Sequence, residues 1–133
     1  MRPTIPGILL TSLVAGCLAV TGSLRTAADR FDDSAQRFYQ EVSRDASSGH
    51  ETRDVGSLAA AASDFSREVQ RGTPREDLQD EFDRLAERFH HVREQYGDTG
   101  RLDSELRRRF DDVTHAYLEL EAALNYRDSR YHG

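Results

Sequence analysis

Phe82-Asp83-Arg84-Leu85-Ala86-Glu87-Arg88-Phe89 decides the fold. A ring, a small residue four positions on and a second ring three beyond that fall on one face of an α-helix. The same spacing returns as Phe31, Ala35, Phe38; as Leu58, Ala62, Phe65; and as Phe110, Thr114, Tyr117. Each stripe continues at helical intervals, through Val42, through Val69, through Val92 with Tyr96, and through Leu120 with Leu124. Between the stripes lie Ser47-Ser48-Gly49, Gly72-Thr73-Pro74 and Gly97-Asp98-Thr99-Gly100, three clusters of breakers that turn the chain back. Short connections make sequential helices antiparallel neighbours, so the expected fold is all-α, a single up-down-up-down four-helix bundle.

The pattern predicts helices at 22–46, 54–71, 74–96 and 102–126. Thr73-Pro74-Arg75-Glu76 has the form of a capping box with proline at the first helical position, and Gly97 is placed to close the same helix. Asp33 with Arg37, Arg37 with Glu41, Asp80 with Arg84, Asp103 with Arg107, Glu105 with Arg109, and Arg108 with Asp112 are opposite charges at i,i+4 on outer faces. Each such pair adds about 0.2–0.5 kcal/mol to its helix.

Upstream of the stripes the chain changes character. Pro3 to Leu24 is uncharged, Ile5 to Val14 forms a short apolar run behind Arg2, and Val14-Ala15-Gly16-Cys17 closes it. These residues resemble the lipobox of a bacterial lipoprotein signal peptide. The resemblance covers residues 1–17 and implies that Cys17 is alkylated by a diacylglyceryl group, that cleavage precedes it, and that its new amino group is acylated, typically with palmitate. Three other readings compete: a plain secretory signal cut near Val20-Thr21-Gly22, an uncleaved anchor, and a buried core helix. Pro6, Gly7, Thr11, Ser12, Gly16, Thr21, Gly22 and Ser23 make a poor membrane span. The rest of the chain shows no comparable apolar surface for a core helix to pack on.

The expected organisation is therefore a signal peptide at 1–16, a lipidated cysteine and tether at 17–25, the bundle at 26–126 and a polar tail at 127–133. Leu18 is not the aspartate that, in enteric lipoproteins, resembles an inner-membrane retention signal, which favours the periplasmic face of the outer membrane. Cys17 is the only cysteine, so the lipidated body would hold no disulfide and no thiolate metal site. All 18 basic residues are arginine. Removing residues 1–16 takes away Arg2 alone, leaving 17 basic against 24 acidic groups and a formal charge of −7. Such a surface repels phosphate backbones, so nucleic acid is not an expected partner. The expected partners are the membrane, through the N-terminal lipid, and an unidentified envelope protein.

The rings invite a cofactor, but Phe31, Phe38, Phe65, Phe82, Phe89, Phe110 and Tyr117 are what a small bundle needs for its core. No cofactor is expected. There is no Cys-x-x-Cys-His, and Glu87-Arg88-Phe89-His90 supplies the Glu-x-x-His spacing of a di-iron bundle only once. His90 and His91 with Glu87 and Glu94, and His115 with Asp111 and Glu119, have i,i+4 spacings that can chelate a divalent ion. They fall outside the apolar stripes, and an exposed charged face is the simpler reading; His50 and His132 belong to a loop and the tail. Gly-rich phosphate loops, Gly-x-Ser-x-Gly and His-Glu-x-x-His are all missing from the sequence, and every carboxylate is expected on an outer face, so no enzyme is expected. The function expected is a lipid-anchored, non-catalytic helical binding or structural module of the bacterial envelope. A metal-binding or metal-buffering bundle is the alternative. A periplasmic chaperone is the third reading, although the Leu-Thr-x-x-Gln repeats of the Spy-type family do not occur.

Overall fold

The computed structural model describes the backbone of residues 4–44, 49–97 and 103–124, with side chains from residue 23 onward. The chain forms four helices: α1 Thr4–Arg44, α2 Gly49–Gln70, α3 Arg75–Tyr96 and α4 Ser104–Leu124. Each packs on its sequence neighbours, and α4 returns to pack on α1. Contacts between helices run in opposite senses along the chain. Asp29 meets Gln70 while Gln36 meets the Ala59 carbonyl, and Phe31 meets Tyr117 while Phe38 meets Phe110. This is the antiparallel up-down-up-down bundle.

All four stripes face inward. Phe31, Phe38, Phe65, Phe82, Phe89 and Tyr117 are buried with Leu58, Leu85, Leu120 and Leu124 in one continuous core. Thr114 is the exception, half-buried, with its hydroxyl donating back to the Phe110 carbonyl at 3.0 Å. Its γ-oxygen is satisfied within its own helix turn and does not enter the apolar centre.

The seams differ. Between α1 and α2 the backbones come close because Ala28, Ala35, Ala59 and Ala62 line the contact. A methyl group added at Gly56 would lie 3.1 Å from the Tyr39 ring. Between α3 and α4 the backbones stand apart and large rings fill the space. Phe89 stacks on Tyr117 with centroids 4.0 Å apart and planes at 10°, and Phe82 covers Tyr117 at 5.5 Å. Tyr96 and Phe110 carry the same seam toward the far pole.

Several local expectations are corrected. The α2–α3 turn is a Schellman motif: Gly72 takes φ 77°, its amide donates to the Val69 carbonyl at 3.1 Å, and the Thr73 amide donates to the Glu68 carbonyl at 3.2 Å. The Thr73 hydroxyl donates to the Glu68 carboxylate at 2.7 Å, so it does not cap α3. Pro74 is the N-cap, with its carbonyl accepting from the Leu78 amide, and α3 begins one residue later than the capping box implied. Gly97 ends α3 in right-handed helical geometry, φ −66° and ψ −25°, so the left-handed glycine cap lies at 72 instead. Asp103 is the N-cap of α4, its carboxylate accepting from the Leu106 amide at 2.8 Å.

The segment 17–25, expected as a tether before a helix starting at 22, has helical backbone within α1. No proline follows Pro6 on that helix, so nothing in the backbone interrupts it. The polar tail at 127–133, with His132, lies outside the described residues.

Candidate functional site

Cys17 falls on the backbone of α1, but its side chain lies outside the described residues, as do those of Val14 and Ala15. The site geometry that can be built from side chains is therefore that of the bundle.

His90, His91 and His115 are not brought together. His91 sits on the outer flank of α3 facing α2, where its Nε2 is 3.3 Å from the Asp54 carboxylate, with the imidazole 60% exposed. His90 is half-buried, a correction to its expected place in solvent. Its ring meets the edge of Tyr117 with centroids 6.1 Å apart, so it closes the wide α3–α4 seam from outside. The wheel angle alone placed it beyond the core, but the separation of α3 from α4 opens room for a ring there. His115 is exposed on α4 and His50 is exposed in the first turn of α2. Among the described residues, no three His, Cys, Asp or Glu side chains group as ligands of one metal would.

Asp54 is the better-held member of the His91 pair, with only 24% of its side chain exposed. The Gln95 side-chain amide donates to the same carboxylate oxygen, Oδ2. An open groove of about 540 Å³ runs over this flank, lined by Asp54, Ser57, Arg84, Glu87, Arg88 and His91 among others. Charges of both signs alternate along it. It is a solvated surface, without the apolar enclosure that a small-molecule pocket needs.

Carboxylates are not all outside. Glu121 on α4 is 6% exposed, contrary to the expectation that every acid faces outward. It lies one helical turn beyond Tyr117, between Leu120 and Leu124. The stripe itself marks it: Glu121 is four residues after Tyr117 and seven after Thr114, on the inward face, whereas Glu119, two residues after Tyr117, falls on the outer side.

The polar feature that sequence reasoning missed is a ladder between α1 and α2. The Ser63 hydroxyl donates to Asp32 Oδ1 at 2.7 Å, and the Gln36 amide donates to Asp32, to Ser63 Oγ and to the Ala59 carbonyl. One turn away the Ser66 hydroxyl, on a residue 3% exposed, donates to Asp29 Oδ1 at 2.8 Å, joined by the Gln70 amide at 3.0 Å. Asp29, Asp32 and Gln36 follow a 3–4 spacing on α1 and Ser63, Ser66 and Gln70 the same on α2. That pattern is visible in the sequence, though only the antiparallel pairing shows that the two runs meet. The ladder bonds its members chiefly to one another across the α1–α2 seam.

Of the expected surface pairs, Asp33 with Arg37 and Glu105 with Arg109 form, at 3.1 and 3.2 Å. Arg84 and Arg108 instead reach Glu81 and Glu105 at i,i−3, and Glu41, expected to pair with Arg37, is met by Arg44. Arg30 crosses from α1 to Glu119 on α4 at 3.3 Å. Among the described residues, no helix is long and apolar enough to cross a membrane.

Comparison with known proteins gives no match to a family, to a curated protein or to a solved structure.

Proposed function

We propose that the chain is a lipid-anchored protein of the bacterial envelope whose helical body is a non-catalytic binding or structural module. The observation that carries this reading is Val14-Ala15-Gly16-Cys17 at the end of an uncharged apolar run, with Cys17 the only cysteine in the chain. Two or three acyl chains on Cys17 give stable anchoring where one would not. The acidic body has no attraction of its own for anionic headgroups, so the lipid is what places it on the membrane. A body whose rings are spent on a filled core, and whose polar groups are bonded to one another across helix seams, suits a rigid spacer or docking module. Leu18 after the cysteine favours the outer membrane.

Mass spectrometry of the protein from its native membrane tests this. The expected N-terminal peptide begins at Cys17 and carries acyl mass, and Cys17→Ala releases the protein from the membrane fraction. An unmodified peptide starting near Ser23, or an intact Met1 end, refutes the reading.

A further inference from the structure

We propose that the lipid holds the bundle end-on, with the α2–α3 turn at residues 71–75 facing the headgroups of the bilayer and the pole near Arg44 and His50 pointing away. The inference rests on lipidation at Cys17. It follows from topology: Ser23 and Ala27 at the entry of α1 share a groove with Ala122 and Ala123 at the end of α4, and Asp29 bonds Gln70 at the end of α2. The entry of α1, the end of α2, the start of α3 and the end of α4 therefore form one pole. Cys17 is six residues before Ser23, so the lipid enters at that pole.

Two observations turn proximity into orientation. The backbone of α1 is helical over Thr4–Arg44, so the link from Cys17 to Ser23 is helix and not a loose tether. Six residues of helix set a stand-off of about 9 Å, where a flexible tether would let the body swing. Charge adds to this. The exposed groups of the pole among the described residues, Arg25, Arg71 and Arg75 beside Asp29, Glu76 and Asp77, are near balance, while the chain after residue 16 carries −7. Lying flat would press the acidic flanks against anionic headgroups; standing end-on presents the least repelled surface.

The test uses the full-length lipidated protein on phosphatidylethanolamine–phosphatidylglycerol vesicles doped with a nickel-chelating lipid. Acylation leaves no native thiol, so Arg75→Cys and His50→Cys each accept a single spin label at an exposed position. Strong relaxation enhancement at position 75 with none at position 50 is expected. Neutron reflectometry of the unlabelled protein on a supported bilayer should give a layer about 40 Å deep, from helices of about 33 Å plus the stand-off, against about 20–24 Å for a bundle lying flat. Equal enhancement at the two positions, or the thin layer, with acylated Cys17 confirmed by mass, overturns the orientation while leaving the anchoring intact. A chain that carries no acyl group and leaves the vesicles bare refutes the anchoring, and the orientation falls with it.

Discussion

Replacing Phe89 by alanine should cost the bundle about 4–5 kcal/mol, for reasons that can be followed atom by atom. The ring is 0% exposed, so its transfer from water contributes about 1.5–3 kcal/mol. The cavity left behind raises the loss for a buried phenylalanine to about 3–5 kcal/mol. The upper part of that range applies here. Phe89 lies flat on Tyr117 at 4.0 Å, and stacked rings add about 0.5–1.5 kcal/mol beyond their area. The cavity also cannot close readily, because α3 and α4 are held apart by Phe82, Tyr96 and Phe110 and are fixed on their other sides by α2 and α1. His91→Ala, one turn half-way round the same helix, removes only an exposed pair with Asp54, which keeps Gln95; the change should stay within about 0.5 kcal/mol. Urea unfolding of residues 23–133, followed by circular dichroism, measures both, with the melting temperature of Phe89→Ala falling by roughly 15 °C or more. Should Phe89→Ala not fold, Phe89→Leu, which keeps most of the volume, should lose about 1.5 kcal/mol and still report the site. Equal losses for positions 89 and 91 would mean that α3 presents a different face to the core.

Gly72→Ala should destabilise by about 1–2 kcal/mol because its φ of 77° strains any side chain, although a methyl group there meets nothing within 4 Å; Gly49→Ala, equally open and without that φ, should be neutral or stabilising in the same unfolding assay. Asp103→Ala should cost about 1 kcal/mol as the loss of a true N-cap, and Thr73→Ala should leave the start of α3 intact in amide exchange, since Pro74 and not Thr73 begins it. Asp32→Ala removes the acceptor shared by Ser63 and Gln36, and a loss of about 1–3 kcal/mol is expected; a double-mutant cycle with Ser63→Ala that shows no coupling would remove the ladder from the energetics. Zinc or copper should not raise the melting temperature of the body, because His90, His91 and His115 face three different surroundings; a rise abolished by joint replacement of His90 and His91 by alanine would restore the metal-binding alternative.

The fold was legible because each stripe repeats one spacing, and a period of 3.6 leaves little choice of which face is buried. Local chemistry was less so. The Thr73 hydroxyl donates to the nearby carboxylate of Glu68, and its oxygen accepts no helix amide, so the capping-box pattern does not form. Gly72 and Gly97 look equivalent in sequence, yet Gly72 turns left-handed, with the Thr73 amide and hydroxyl both bonded back to Glu68, while Gly97 stays right-handed. His90 illustrates a different limit. A helical wheel gives angle but not the distance to the next helix, and at the wide α3–α4 seam a residue well round the wheel still touches Tyr117.

The two kinds of seam also answer a question that four similar stripes raise, namely how the chain selects one arrangement. Apolar stripes of the same spacing are interchangeable, since ring against ring is attractive in any register. The ladder is not interchangeable. Asp29 and Asp32 need Ser66 with Gln70 and Ser63 with Gln36 at matched heights, and a slip of one turn would strip the half-buried Asp32 carboxylate of its serine donor. Small residues at the same seam bring α1 and α2 close enough for those short side chains to reach. The wide α3–α4 seam, filled by Phe82, Phe89 and Tyr117, then receives the bulk that the narrow seam excludes. Polar matching on one side thus fixes the register, and the other side accommodates the stacked rings.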